Sequence, residues 1–400
     1  MTIEDKPADI MASNQTTGIS VNLSTGEVNA GTVQFRNRII NGDMRIAQRG
    51  TSTTTSGKTY LIDRFSTWTS ITTGVLTTTQ NVLTSSDEPF NKGFLYSNKI
   101  TVTTAVSSYA WVAPVQPVEG SSIVDLMWGS NNGISISLSF WYRTNATGTH
   151  NIGIRSQNTS PVTCYNTSFN VTTSSWRYYT FEVPPPPVGS SWNVTSTGAL
   201  EVFLGSLYTP ANAHGWSTTS FIGVSGSVNW PATLNNFIEF TGVQLEKGSK
   251  ATPFEFRPYS VELQLCQRYF QKFQISGNGQ FSVSGYIGGS ATQGNKVLIT
   301  TLPLIPRMRT VPTGFCYKSG TFGYNATWYT IDFYYNPNGT PASDVSLPAT
   351  GTVSVNHYGY DSLYDTGFIT MLPGASSLPV LANSTFAYAR DLKIDFTAEL

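Results

Sequence analysis

The chain has 400 residues, of which 12% are charged, and its 23 Lys and Arg balance 23 Asp and Glu for a formal net charge of zero. That balance lacks the concentrated basic footprint of a nucleic-acid binder. Aromatic residues at 13% and apolar residues at 39% exclude a disordered chain, and the length gives room for two or three domains with their own cores.

In chain order, the first stretch is MTIEDKPADIM, which has neither the basic n-region nor the apolar h-region of a signal peptide. Residues 1–36 read as an extended leader, too polar for a core of its own, either a free tail or a segment laid against a partner. From 37 to 257 the pattern is β. In the clearest strand, Ile134, Ile136, Leu138, Phe140 and Tyr142 occupy alternate positions, so they share one buried face and Trp141 points to the other. Turn formers such as Asn132-Gly133, Asn145 to Gly148 and Pro184 to Pro187 separate further short strands, the pattern of a sandwich or jelly roll.

One segment reads as a helix. Tyr259, Leu263, Cys266, Phe270 and Phe273 make an apolar stripe over 258–273, with Pro258 before it, Ser260 as N-cap and Glu262 near the positive end of the dipole. The stripe packs either on its own domain or against symmetry mates, so these five are the oligomer-interface candidates. Residues 274–400 return to short β runs and end on the alternating Leu392 to Phe396. The expected fold is therefore all-β: two β-sandwich or jelly-roll domains (37–257 and 274–400) joined by one short helix and preceded by the leader. No stretch approaches the ~20 apolar residues of a membrane helix, so membrane insertion is not expected.

Reactive chemistry is sparse. Cys164, Cys266 and Cys316 lie far apart, without a metal-knuckle spacing or a disulfide framework, and read as buried reduced thiols. His150, His214 and His357 stand in none of the GxSxG, HExxH or HxH contexts and read as surface or turn residues. Between 101 and 240 the acids are Glu119, Asp125, Glu182, Glu201 and Glu239, few candidates for a glycosidase pair. No loop is built to cradle phosphate, and no motif calls for a cofactor. Asp43 and Glu246 are the two acids considered as calcium ligands, against the plainer reading of a solvated turn and an edge carboxylate. Amide, hydroxyl and aromatic side chains are plentiful and suit sugar recognition, with Trp141, Trp216 and Trp230 as stacking candidates beside their plainer role in packing.

Two blocks carry a resemblance. The first is Asn37-Arg-Ile-Ile-Asn-Gly-Asp-Met-Arg-Ile-Ala-Gln-Arg-Gly-Thr51, followed by Leu61-Ile-Asp-Arg-Phe65. The second runs from Phe240-Thr-Gly-Val-Gln-Leu-Glu through Phe254-Glu-Phe-Arg-Pro-Tyr259 into Glu262-Leu-Gln-Leu-Cys-Gln-Arg-Tyr-Phe270. With Val124 to Gly129, Leu138 to Arg143, Ser225 to Ala232 and the terminal Asp395 to Leu400, they resemble a family of virion structural proteins of tailed-phage tail fibres and large algal DNA viruses. In that family the first block opens a carbohydrate-binding-like jelly roll and the second closes it. Thr241-Gly242 stand where calcium-binding sugar modules commonly carry an acid, a departure from their calcium site.

The resemblance implies a non-enzymatic virion protein, assembled in the host cytoplasm, on or near the particle surface as a tail fibre, capsid fibre or decoration component. It implies other virion proteins as partners, a homotrimer, and adhesion to host-surface glycan as one possible role. The alternative is a polysaccharide depolymerase, which requires acids such as Asp125, Glu201 and Glu239 to converge.

Overall fold

In the computed structural model, side chains are described for residues 35–272 except 56, 210–212 and 219–221, and for 306, 308, 309 and 397–399; strands beyond these are described as backbone. Two short strands, β1 (Ile19–Asn22) and β2 (Glu27–Ala30), pair as a hairpin. The main unit comprises β3 (Ser52–Thr54), β4 (Lys58–Tyr60), β5 (Ser66–Ile71), β6 (Val75–Val82), β7 (Tyr96–Thr104), β8 (Tyr109–Glu119) and β9 (Ile136–Thr144). It continues with β10 (Gly148–Ser156), β11 (Cys164–Val171), β12 (Arg177–Val183), β13 (Gly198–Leu204), β14 (Leu207–Tyr208), β15 (Gly215–Ser217) and β16 (Phe237–Lys247). The fold is all-β.

These strands form two antiparallel sheets. A six-stranded one has the order β12-β9-β16-β7-β6-β3, and an eight-stranded one the order β15-β11-β10-β13-β8-β5-β4, with β14 also on β8. Alternation along each strand fills the space between them: Leu138, Phe140, Tyr142, Ile238 and Phe240 from one sheet meet Val112, Ile152, Ile154, Leu200 and Val202 from the other. Strand β9 begins at Ile136 rather than Ile134. The turn through Gly133 ends with Ile134 N–H bonded to Leu126 O, and Trp128 Nε1 donates to Ile134 O at 2.7 Å.

The two sequence blocks meet in space. Asn37 donates through Nδ2 to Val243 O at 3.1 Å and accepts from Leu245 N–H at 3.0 Å, while Arg38 N–H donates to Leu245 O at 2.9 Å. The opening segment thus lies along the closing strand. Within β16 the register slips between Thr241 and Gln244, which lets Phe240 and Leu245 both face the core although five positions separate them.

The helix α1 runs from Tyr259 to Gln267 only, with Pro258 rather than Ser260 as its N-cap. The stripe predicted to continue to Phe273 instead becomes β17 (Phe270–Gln274), paired with the terminal strand Leu392–Thr397. A partner strand supplies a full ladder of backbone bonds there, and tertiary pairing overrides a helical spacing. Cys266 and Phe270 are buried within this chain, Leu263 is half-buried and Tyr259 is 55% exposed, so the five candidates do not form one free helical face. The side chains of Phe273, Cys316 and His357, and most of the leader, lie outside the described residues. The other C-terminal strands are short and antiparallel and lie in three small sheets, one of which contains β17.

Buried charge ties α1, β17 and the chain's end to the jelly roll. Arg64, 1% exposed, pairs with Glu399, donates to Pro117 O at 2.7 Å, and lies 3.4 Å from the centre of the Tyr269 ring. Glu399 also pairs with Arg49 at 3.1 Å, and Tyr269 Oη donates to Glu119 at 2.7 Å. Removing one member of such a set strands its partners in a low-dielectric site. We expect Arg64→Met to lower the unfolding free energy in urea by about 3 kcal/mol. Arg38→Met, which breaks a pair whose Asp125 is 42% exposed, should change it by less than about 1 kcal/mol.

Candidate functional site

The outward face of β9 builds the site. Phe140 and Tyr142 face the core, so Trp141 projects to the other side of the six-stranded sheet, where Leu83, Phe94 and Trp176 form a second small apolar cluster with it. Gly242, at φ +63°, makes this possible: a Cβ there would stand 2.8 Å from Phe94 and 3.1 Å from Trp141. Tyr178, paired with Trp141 across β12 and β9, sets its ring 5.3 Å from the indole. Trp141 is therefore 7% exposed and Tyr178 is 43% exposed. Of the two, Tyr178 presents the accessible ring.

Trp176, just before β12, is held by charge. Its Nε1 donates to Asp87 Oδ1 at 2.9 Å, and Arg143 donates to the same oxygen at 2.9 Å while lying 4.8 Å from the centre of the indole ring. Arg143 also bonds Glu239 through Nε at 2.8 Å. Burial works to raise the Asp87 carboxyl, but Thr84 N–H, the Trp176 indole and Arg143 outweigh it and hold the group below the ordinary carboxylate range. The aromatic wall is thus anchored to a fixed ionic scaffold.

Together these residues shape an open groove of about 440 Å³ around the start of β12, lined by Glu88, Trp141, Asn170, Thr172, Trp176, Arg177, Tyr178 and Tyr179. Its rim carries carboxylate, amide, hydroxyl and guanidinium groups beside an exposed ring, the mixture that binds a polyhydroxylated ligand with apolar faces.

The other tryptophans stand elsewhere. Trp230 is fully buried in the core, with Nε1 bonded to Gly205 O at 3.1 Å, so it is a packing residue and not a sugar platform. Trp216 lies on the edge strand β15, half-buried, 5.9 Å from both Trp128 and Trp192, with its Nε1 bonded to Pro184 O at 3.1 Å. The three stacking candidates are not brought together.

The calcium candidates are separately engaged. Asp43 pairs with Arg45 at 2.9 Å, and burial pushes its carboxyl up to about 6. Glu246 accepts from Thr252 N–H and Gln244 Nε2, both at 2.9 Å, and so pins the 247–252 turn. Among the described residues no group of three or more His, Cys, Asp or Glu side chains is placed to hold a metal.

The acids considered for catalysis are also locked apart. Glu239 sits on β16 of one sheet with Arg143, Glu201 on β13 of the other with Arg155 at 2.9 Å, and Asp125 pairs with Arg38 at 2.8 Å. His150 is buried, not a surface residue: its Nε2 bonds Ala146 O at 2.8 Å and its Nδ1 the Tyr142 hydroxyl at 3.0 Å, and burial lowers its pKa. His214 is exposed.

Residue-by-residue reading missed Tyr178, Trp176 and Arg177. The signal lay in pairing: only the register of β12 on β9 sets Tyr178 against Trp141.

No family model matches the chain, and no curated protein matches its sequence. Among solved structures, one described as "CBM4 structure and function" is 12% identical with a TM-score of 0.27, covering 52% of this chain and 97% of that one. The enzymatically active domain of bacteriophage CBA120 tailspike protein 4 is 14% identical with a TM-score of 0.29, covering 53% and 21%. A family 30 carbohydrate-binding module is 12% identical with a TM-score of 0.27, covering 50% and 92%. At these scores the overlaps assign neither a family nor an activity.

The elevated Asp43 carboxyl gives a measurable slope. Its folded value of about 6 exceeds the ordinary 3.8, so its contribution to stability is complete below 3.8 and is lost as pH rises through 6. Relative to Asp43→Asn, the wild-type protein should lose about 1–3 kcal/mol of unfolding free energy between pH 4 and pH 7, measured by urea denaturation across that range. Arg45 and Glu262 face the same carboxyl, Arg45 lowering its pKa and Glu262 raising it.

Proposed function

We propose that this chain is a non-enzymatic virion structural protein at or near the particle surface, whose jelly roll adheres to host glycan through the groove at the start of β12. One observation carries the reading: an exposed Tyr178 ring backed by Trp141 in a groove of about 440 Å³ whose rim is polar. A groove of that size admits a few sugar rings rather than a long chain. A single shallow site of this kind binds weakly, and several copies on one particle would convert weak contacts into adhesion. A homotrimer, the form the sequence resemblance implies, would supply them.

The viral assignment rests on the two sequence blocks, which the fold joins along β16. The depolymerase alternative needs a pair of acids free to exchange protons with a substrate. Glu239, Glu201 and Asp125 each face an arginine instead, which supports binding without turnover.

The test is a glycan array and host-envelope binding assay on purified protein, with Tyr178→Ala as the variant. Losing the stacking ring should weaken binding about three- to tenfold while leaving the fold intact. No binding by well-folded trimers, with trimer mass checked by light scattering, would leave a purely architectural virion role. Release of reducing ends from any host polysaccharide would overturn the non-enzymatic reading.

A further inference from the structure

Among the described residues, arginine is almost always committed. Every other arginine with a described side chain donates to a carboxylate or a carbonyl, from Arg36 on Thr252 and Pro253 to Arg309 on Ala398. Arg177 is the exception among the described residues: it is exposed, lines the groove, and has no hydrogen-bond or ion-pair partner, the Tyr179 phenol being its electrostatic neighbour. Glu88, on the same groove, likewise has no side-chain partner among the described residues. A planar guanidinium with all its donors free is shaped to take a carboxylate in two parallel hydrogen bonds.

We propose that the groove takes an acidic saccharide, with a sugar carboxylate on Arg177 and the apolar face of the sugar on Tyr178. This rests on the groove being the glycan site. The nearby Glu88 disfavours a doubly charged group more than a singly charged one, which selects a carboxylate over a phosphate, and it can accept from the sugar's hydroxyls. Asn170 and Thr172 supply neutral partners on the same rim.

The experiment compares α-1,4-linked trigalacturonate with neutral galactotriose, titrated by tryptophan fluorescence because Trp141 and Trp176 line the groove. The uronate should bind about three- to tenfold more tightly at low salt, and raising the salt to about 0.5 M should remove most of that preference. Arg177→Gln should abolish the preference by weakening trigalacturonate more than galactotriose, and Arg177→Lys should keep part of it. Equal affinity for the two sugars, or a preference that survives Arg177→Gln, overturns the acidic-ligand assignment and leaves the groove as a neutral glycan site. Failure of both sugars to bind, in protein whose thermal midpoint is unchanged, overturns the groove reading and this assignment together.

Discussion

The cost of burying charge organises this molecule. Removing an ion from water is unfavourable unless a counter-ion and hydrogen bonds meet it, and here the opening segment, the closing strand, α1 and the chain's end all bring charged groups into one seam. Arg64 answers Glu399 and Pro117 O, Tyr269 and Arg268 answer Glu119, and Arg257 answers Glu262. Segments far apart in sequence are thereby fixed to one another by buried charged groups, as Arg64 is to Glu399 and Arg268 to Glu119. Such a seam gives less net stability than apolar packing of equal volume, but it tolerates little rearrangement.

The six-stranded sheet applies the same logic at the groove. One strand, β9, has apolar side chains on both faces: Phe140 and Tyr142 complete the sandwich core while Trp141 nucleates a second cluster outside it. An outward tryptophan beside an edge strand would be an aggregation hazard. Tyr178 covers it, Gly242 makes room beneath it, and the Arg143 bridge between Glu239 and Asp87 fixes Trp176 beside it. The exposed ring therefore rests on a rigid base, which lowers the ordering cost of binding.

What the sequence disclosed was what short-range periodicity can encode. The alternation of β9 places Phe140 and Tyr142 in the sandwich core, but a period of two does not disclose that Ser137, Ser139 and Trp141 on its other face are buried too, nor that Gln244 and Glu246 are buried beside Val243 and Leu245 on β16. The α1 stripe failed past Gln267 because a strand 120 residues later, Leu392–Thr397, supplied the competing ladder to Phe270. Trp230 and Trp216 are alike as stacking candidates in the sequence, yet one fills the core and the other an edge cluster, since burial depends on what folds over the residue. Asp43 and Glu246 gave no sign of their partners for the same reason: Arg45 is local, but the Glu262 facing Asp43 comes from α1.

Fixed carboxylates and a free rim lie apart on the six-stranded sheet. Glu239 is held by Arg143, Ser97 and Asn81 in a wholly buried site. The groups that can change partner, Arg177 and Glu88, sit instead where solvent reaches them, beside a ring that has no acid-base role. In the proposed glycan reading, selectivity rests on the sign and placement of charge around Tyr178.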